Sequence, residues 1–405
     1  MNWSTDYRPR LRPVEAFQTL DDGRVSYGLR DRSGISDVML SMSGPALHIL
    51  SLMDGTNSME EIRSRFQASF GQSLTRETLC DMLEHLERAC FLEGATFEEH
   101  YQSLQTSFRN GGVRPMPHAL SLGLIDGSGD VFRRMISGAV PASEVSANKV
   151  RGIIAPHLDY ERGASAYSSA YGAIRDRGCP DRVVLLGTNH FGRSASVVAT
   201  ACDFETPLGR TASDRDFLVR LEDRCGDLRR YELDHVREHS VELQVAWLQF
   251  LYGAEAFRIV PFLCPDPCGP TETAPSEGQG VDLRDFAAAL AELANDNSHD
   301  TLIVAGADLS HVGASFGDDR PLDDDFLDEV RTQDRRALDC LVLGDPEGFL
   351  SRIAETGNRT RICSAGCIFA LALALKGARA SALCYHQAVD QETQTCVTCS
   401  AVMYS

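Results

Sequence analysis

The sequence lacks a long apolar run, an excess of positive charge and any visible internal repeat. No apolar segment approaches the roughly 18 residues that a membrane-spanning helix requires, and residues 1–10 lack the apolar centre of a secretion signal. We therefore expect no membrane contact and a cytoplasmic location. The net charge of −19 disfavours nucleic acid as a partner, because an acidic protein repels a polyanion. The absence of a repeat excludes a solenoid.

The cysteines are numerous but do not form a disulfide pattern. All 13 are scattered through apolar segments of a 405-residue chain, which is too long to need disulfide staples, so we interpret them as reduced thiols. Cys396 and Cys399 form a CxxC pair, but they lie in an apolar, strand-like tail, and packing in the core is the favoured interpretation. The length and the composition, 43% hydrophobic and 24% charged, predict two or three globular domains.

Residues 8–95 predict a small winged-helix-like α+β domain. Turn residues at 21–23 separate two strand-like runs, as in a β-hairpin. Ser43 can cap a first helix, and Ser58 with Glu61 forms the capping box of a second. A third helix over residues 79–89 runs into the apolar pair at 91–92, which completes the pattern.

This first domain resembles the PqqD-like family. The residues that carry the resemblance are Met53-Asp54-Gly55-Thr56, Glu60-Glu61-Ile62, Leu83-Glu84-His85-Leu86 and Phe91-Leu92. The resemblance implies a unit that binds a peptide or leader for a partner enzyme, often a radical SAM protein. A generic winged-helix dimerisation module is an equal alternative. A DNA-reading module is disfavoured, because Asp81, Glu84 and Glu87 make the third helix acidic.

Residues 96–118 are polar and glycine-containing, and we predict a linker there. The second domain, residues 119–405, alternates apolar runs with helical patterns, which is typical of an α/β sheet covered by helices on both faces. A helix is predicted over 130–137, and strands over 152–155, 183–187, 257–263, 301–305 and 380–385.

Three of these apolar runs are each followed by a histidine. His157 follows Ile-Ile-Ala-Pro, His190 follows Leu-Gly-Thr-Asn, and His311 follows Ala-Asp-Leu-Ser. The carboxyl ends of parallel strands meet at one edge of a sheet, where α/β proteins bind ligands. The sequence therefore predicts that the three imidazoles converge.

Two further groups are candidates for the same site. Glu238, His239 and Glu242 lie at the start of a predicted helix, where a neutral histidine can ligate or hydrogen-bond. Cys363 precedes a very apolar helix, whose N-terminus favours a thiolate. Two imidazoles and a thiolate suit iron, zinc or copper. Each residue also has a purely structural interpretation: His239 could cap its helix, Cys363 could pack in the core, and Asp308 could be an N-cap.

The whole second domain resembles the MEMO family, also called the AmmeMemoRadiSam system protein B family. The matching residues are Ile154-Ala-Pro-His157 with Tyr160, Leu186-Gly187 to His190, Glu238-His239-Ser240-Val-Glu242, Asp308-Leu-Ser-His311 and Ile362-Cys363. The resemblance implies a fold like that of the LigB-type class III extradiol dioxygenases. It also implies a metal held by His157, His190 and Cys363, with Asp308 and His311 beside it.

One departure from the dioxygenases affects the expected chemistry. Those enzymes have a carboxylate as the third ligand, whereas a thiolate here would change the metal preference and the redox potential. We expect a non-haem, metal-dependent redox enzyme or enzyme subunit, with iron favoured over copper or zinc and a small molecule or peptide as substrate. The expected catalytic residues are His311, Asp308 and His239, and the expected surrounding residues are Asp159, Tyr160, Asn189, Glu238 and Glu242.

Two other functions remain open from the sequence. One is a non-catalytic scaffold that binds a metal, a phosphorylated ligand or a peptide. The other is a metal-dependent hydrolase, with Glu242 or His311 as the base. The hydrolase is disfavoured, because thiolate ligation lowers the Lewis acidity of a metal.

Overall fold

A computed structural model describes residues 3–21, 24–116, 129–137, 150–269, 272–275, 279–296 and 298–405. The chain divides into two compact units, Met1–Asn110 and Gly111–Ser405. No helix in the described parts of the chain is long and apolar enough to cross a membrane.

The first unit contains the predicted hairpin and the three predicted helices. Strands β1 (Glu15–Asp21), β2 (Arg24–Arg30) and β3 (Leu40–Met42) form an antiparallel sheet in that order. Helices α1 (Gly44–Ser51), α2 (Met59–Phe70) and α3 (Arg76–Arg88) follow. Ser43 caps α1, and Ser58 and Glu61 form the predicted capping box of α2. Local capping signals thus set these helix starts.

The stretch predicted as a linker is largely helical. Helix α4 (Ala95–Gly111) buries Phe97, Tyr101 and Gln105, which recur every four residues and so share one face. Two aromatic residues and a glutamine on this face are too weak an apolar pattern to be recognised in a polar segment. The short strand β4 (Val113–Arg114) comes next, and positions 117–118 lie outside the described residues.

The second unit is a mixed α/β structure, as predicted. Its elements in chain order are α5 (Asp130–Ser137), β5 (Gly152–Ala155), α6 (Ala164–Ile174), β6 (Arg182–Thr188), β7 (Val198–Ala199), β8 (Asp203–Thr206), β9 (Gly209–Thr211), α7 (Arg215–Cys225), the 3-10 helix Glu232–His235, α8 (His239–Tyr252), β10 (Arg258–Cys264), α9 (Leu283–Ala294), β11 (Thr301–Gly306), β12 (Asp308–Gly313), the 3-10 helix Ala314–Phe316, α10 (Asp324–Val342), α11 (Pro346–Ala354), α12 (Ala365–Ala374), β13 (Ala380–Asp390) and β14 (Thr395–Tyr404).

Eight of the described strands form one mixed sheet. Its order is β12-β14-β5-β11-β6-β10-β7, with β13 also paired to β14. Strands β5, β11, β6 and β10 are parallel, and they form its centre. Successive residues of β6 alternate between two cores: Val184 and Leu186 pack against α7, α9 and α12, whereas Val183 and Leu185 pack against α6 and α8. Burial on both faces explains the continuous apolar runs in the sequence.

The structure differs from the prediction at His311. This residue does not follow the end of a parallel strand but lies within β12, which begins two residues after β11 and pairs antiparallel with β14. A short polar strand at a sheet edge has too little apolar signal to be recognised. Cys396 and Cys399 are buried in β14, in agreement with the core interpretation.

Candidate metal centre

His157 lies just beyond the end of β5, where Pro156 ends the apolar strand. Its backbone N–H donates to Asp308 Oδ1 at 3.0 Å. Its ring Nδ1 lies 2.9 Å from the carbonyl oxygen of Gly306, at the end of the neighbouring strand β11. A carbonyl can only accept, so Nδ1 carries a proton, and Nε2 has the lone pair whenever the ring is neutral. Nε2 lies 3.5 Å from Cys363 Sγ.

His190 is oriented in the same way by Glu238. Its Nδ1 lies 3.0 Å from Glu238 Oε1, and its backbone N–H donates to Oε2 of the same carboxylate at 3.0 Å. Glu238 is the N-cap of α8 and also accepts from the N–H of Ser240 at 2.9 Å. A carboxylate that accepts from a ring nitrogen fixes the ring and raises the basicity of the opposite nitrogen, as carboxylates do beside metal-bound histidines.

Cys363 lies two residues before α12, next to the N-cap residue Ser364. Ser364 Oγ accepts from the backbone N–H of Asp308 at 3.0 Å and from Thr188 Oγ1 at 3.1 Å. Thr188 ends β6, and Asp308 begins β12. One buried hydroxyl therefore ties the cysteine loop to two strands of the sheet.

The positions of these groups fit a metal ion. The ligand atoms of His157, His190 and Cys363 lie within 4.8 Å of one another. With a metal–nitrogen bond of about 2.0 Å and a metal–sulfur bond of about 2.3 Å, tetrahedral geometry separates the nitrogen from the sulfur by about 3.5 Å. The observed separation of His157 Nε2 from Cys363 Sγ is 3.5 Å. Both rings have Nδ1 occupied by an acceptor, so the donor set suits an ion bound through the two Nε2 atoms.

A second group, His190, Glu238 and His239, also places its ligand atoms within 4.8 Å of one another. The carboxylate of Glu238 already accepts from His190 and Ser240, and its side chain is buried. We therefore assign Glu238 to orienting His190 rather than to binding an ion.

The electrostatics of the cluster favour a thiolate. Burial raises the pKa of the Cys363 thiol, but the imidazoles of His157 and His190 lower it by more, and it falls well below its ordinary value. Burial lowers the pKa of His157, but the carboxylate of Asp308 and the thiolate of Cys363 raise it by more, to about 9. Burial likewise opposes a charge on His190, and Glu238 raises its pKa well above the ordinary value. The metal-free cluster thus holds its protons on nitrogen.

The three expected catalytic residues have different surroundings in the structure. Asp308 is buried, with Oδ2 3.5 Å from His157 Nε2; burial raises its pKa, and His157 opposes the rise. The ring of His239 lies 5.1 Å from that of His190 and 5.4 Å from that of His157, measured between centroids. His311 packs edge-on against Phe316, with Nδ1 3.1 Å from the carbonyl of Leu309.

The other expected residues occupy the surrounding structure. The amide of Asn189, the residue before His190, donates at 2.9 Å to Asp234 in the 3-10 helix Glu232–His235. Asp159 accepts from the backbone N–H of Arg162 at 2.9 Å. The hydroxyl of Tyr160 donates to the carbonyl of Leu243 at 2.8 Å, inside the core. Glu242 is fully buried and pairs with Arg114.

Sequence reasoning missed Ser364, the carbonyl of Gly306 and Arg114. The N-cap position of Ser364, directly after Cys363, was a usable signal. A backbone carbonyl leaves no trace in a sequence, and Arg114 lies in the predicted linker, which offered no reason to single it out.

The fold and the cluster define a class of protein. It is an α/β chain in which two histidines follow parallel strands and one cysteine precedes a helix, and the three side chains lie together. A family model described as Memo-like protein matches residues 130–405, which is more than half of the chain, and the chain belongs to this family.

Curated relatives agree with this assignment. A MEMO1 family protein of Aquifex aeolicus is 26% identical over 359 residues, which cover 87% of this chain and 88% of the relative. A MEMO1 family protein of Thermus thermophilus is 27% identical over 349 residues, covering 85% of this chain and 98% of the relative. One from Methanopyrus kandleri is 28% identical over 246 residues, covering 60% and 77%.

Proposed function

We propose that this Memo-like protein is a metal-dependent redox enzyme or enzyme subunit whose mononuclear centre is held by His157, His190 and Cys363. The observation that carries the proposal is the 3.5 Å separation of His157 Nε2 from Cys363 Sγ, with the Nδ1 of each histidine occupied by an acceptor. Iron is the favoured metal. Copper and zinc are alternatives, because imidazole and thiolate are ligands for all three. When bound, iron would supply one-electron redox chemistry within a LigB-like fold.

In this proposal, the residues around the centre bind the substrate and move protons. His311 and His239 act as general acid or base, because an imidazole has one nitrogen that can donate a proton and one that can accept it. Asp308 holds the backbone of His157 through its N–H and keeps a carboxylate oxygen beside the ring. Glu238 fixes the tautomer of His190. The substrate is a small molecule or peptide.

Replacing Cys363 by serine tests the metal assignment. Protein purified without oxygen should contain a stoichiometric transition metal and show a thiolate-to-metal charge-transfer band. The Cys363→Ser variant should lose this band and bind metal more than about 100-fold more weakly, which exceeds the loss typical of residues that only orient ligands.

Cys367→Ser is the matched control. Cys367 is also buried near the cluster, but burial raises the pKa of its thiol to about 12, so it should keep its proton and the variant should keep the band. Unchanged metal content and spectrum in Cys363→Ser would refute the assignment. Oxygen consumption by the reduced, metal-loaded protein separates a redox enzyme from a scaffold that only binds metal.

We also propose that residues 8–95, within the first unit, form a PqqD-like, winged-helix-like domain that binds a peptide or a radical SAM partner in the cytoplasm. The hairpin and three capped helices of this unit support the proposal, together with its exposed apolar residues Leu20 and Met39. Protein lacking residues 1–110 should therefore lose the peptide or partner and keep the metal.

A further inference from the structure

Arg114 is a buried charge outside the segment that matches the family model. Its side chain and that of Glu242 are both 0% exposed, and Nη1 donates to Glu242 Oε2 at 2.5 Å. The guanidinium also lies over the ring of Phe204, 5.1 Å from its centroid. Removing two charges from water is costly, and a buried ion pair is weak evidence of a stabilising role. The other contacts of Arg114 indicate which part of the backbone it positions.

The guanidinium spans the turn that leads into α8. Nε donates to the carbonyl oxygen of His235 at 2.7 Å, and Nη2 donates to the carbonyl oxygen of Glu238 at 2.5 Å. His235 ends a 3-10 helix, Glu238 is the N-cap of α8, and Glu242 lies in the first turn of that helix. A planar guanidinium can serve three acceptors in fixed directions, which a lysine ammonium cannot do.

Glu238 connects this turn to the candidate metal centre. Its carbonyl accepts from Arg114, and its carboxylate accepts from the backbone N–H of His190 and faces the ring Nδ1. His239 is the next residue along the chain. The position of the Glu238 backbone therefore sets the direction in which His190 presents Nε2.

We propose that Arg114 is a positioning residue for the metal centre and acts on His190 through Glu238. This inference rests on the proposed function, because it requires a metal bound at His157, His190 and Cys363. It also extends the functional unit of the chain upstream of residue 130, to β4.

Cobalt(II) titration of the full chain tests the inference. The double variant Arg114→Gln/Glu242→Gln removes both charges and keeps a polar side chain at each position. We expect its affinity for cobalt(II) to fall about 10- to 100-fold, as for residues that orient ligands, and its absorption bands to shift. The variant Arg114→Lys keeps the positive charge beside Glu242 but cannot serve the three acceptors in fixed directions, and it should change both quantities in the same direction.

The Arg182 and Asp214 pair is the matched control. It is also buried, with an N–O distance of 2.6 Å and Arg182 over the ring of Phe217 at 4.2 Å. It lies at the amino end of β6, whereas His190 follows the carboxyl end. The variant Arg182→Gln/Asp214→Asn should lose comparable thermal stability and keep the cobalt affinity and spectrum of the wild type.

The outcomes separate this inference from the proposed function. Wild-type protein that binds no cobalt refutes the proposed function itself. A wild-type affinity and spectrum in the Arg114 double variant, or an equal loss in both pair variants, overturns the positioning role. If the Arg114 double variant is insoluble, Arg114→Lys decides, because an ammonium cannot serve the two carbonyls and Glu242 in fixed directions. A weakened affinity with shifted bands then supports the inference, and wild-type behaviour overturns it.

Discussion

The two histidines of the candidate centre owe their direction to acceptors on other parts of the chain. The Nδ1 of His157 faces a strand-end carbonyl, and that of His190 faces a helix-capping carboxylate. In both rings this leaves Nε2 for the position next to Cys363. The thiolate and the nearby carboxylates stabilise protons on these rings when no metal is bound.

Metal binding should therefore depend strongly on pH. The pKa of His157 is raised to about 9, so this ring is protonated at neutral pH in the metal-free protein. The pKa of His190 is also raised well above its ordinary value, which favours its protonated form. A metal must displace these protons, so the apparent affinity should increase as the pH rises toward the pKa of His157, about 9. Cobalt(II) titrations between pH 6 and 8 should show affinity rising about 10- to 100-fold per pH unit, for one to two protons released.

The same titrations test whether the imidazoles are protonated in the metal-free protein. Proton release can be measured directly with an indicator dye in weakly buffered solution. An affinity that does not vary between pH 6 and 8 would mean that the imidazoles are already neutral, and would contradict the raised pKa values. The Cys367→Ser variant should show the same pH dependence as the wild type, because its thiol lies outside the proposed ligand set.

At the scale of elements, the site forms where strand ends meet helix starts. Strands β5, β6 and β11 end at one edge of the sheet, and helices α8 and α12 begin there with Glu238 and Ser364 as N-caps. The start of α12 is packed tightly against the loop after β10. A Cβ on Gly366 would lie 2.0 Å from the carbonyl oxygen of Pro265.

Gly366→Ala should displace the start of α12 and with it Cys363. At 2.0 Å the new Cβ would clash with a backbone oxygen, which cannot move aside as a flexible side chain can. We therefore expect the free energy of unfolding to fall by at least about 2 kcal/mol and metal binding to weaken. Urea denaturation and cobalt titration measure the two effects. Gly269→Ala, whose Cβ would meet no described residue closer than 3.8 Å, should stay within about 0.5 kcal/mol of the wild type. Equal stability of the two variants would contradict the packing argument.

At the scale of the whole molecule, every residue of the candidate centre belongs to the second unit. This unit begins at Gly111, whereas the family match begins at residue 130. The difference matters because β4 and Arg114 lie between these two positions.

A fragment of residues 111–405 should therefore bind metal as the full chain does, and a fragment of residues 130–405 should not. We expect the shorter fragment to bind cobalt(II) at least about 10-fold more weakly, because Glu238 loses the contact that holds its backbone. Circular dichroism and cobalt titration of both fragments test this expectation. Equal affinities would show that β4 is dispensable. Weak binding by the longer fragment would show that the first unit contributes to the site.

The sequence by itself determined the elements whose signals are local. The apolar runs of β5, β6, β10 and β11 reflect burial on both faces, and the caps at Ser43 and Ser58 follow from hydrogen bonds between residues three positions apart. The convergence of His157 and His190 also follows from the sequence, because parallel strands end at a common edge. The proposed pairing of these histidines with Cys363 depended in addition on resemblance to a family.

Only the tertiary structure decided how the candidate centre is held. Gly306 and Asp308 meet His157 from about 150 positions away, and Arg114 reaches Glu238 across 124 positions. His311 belongs to an antiparallel edge strand, and α4 replaces the expected linker. Contacts at such separations arise from packing between elements and leave no periodic pattern in the chain. Local sequence patterns therefore could not predict them.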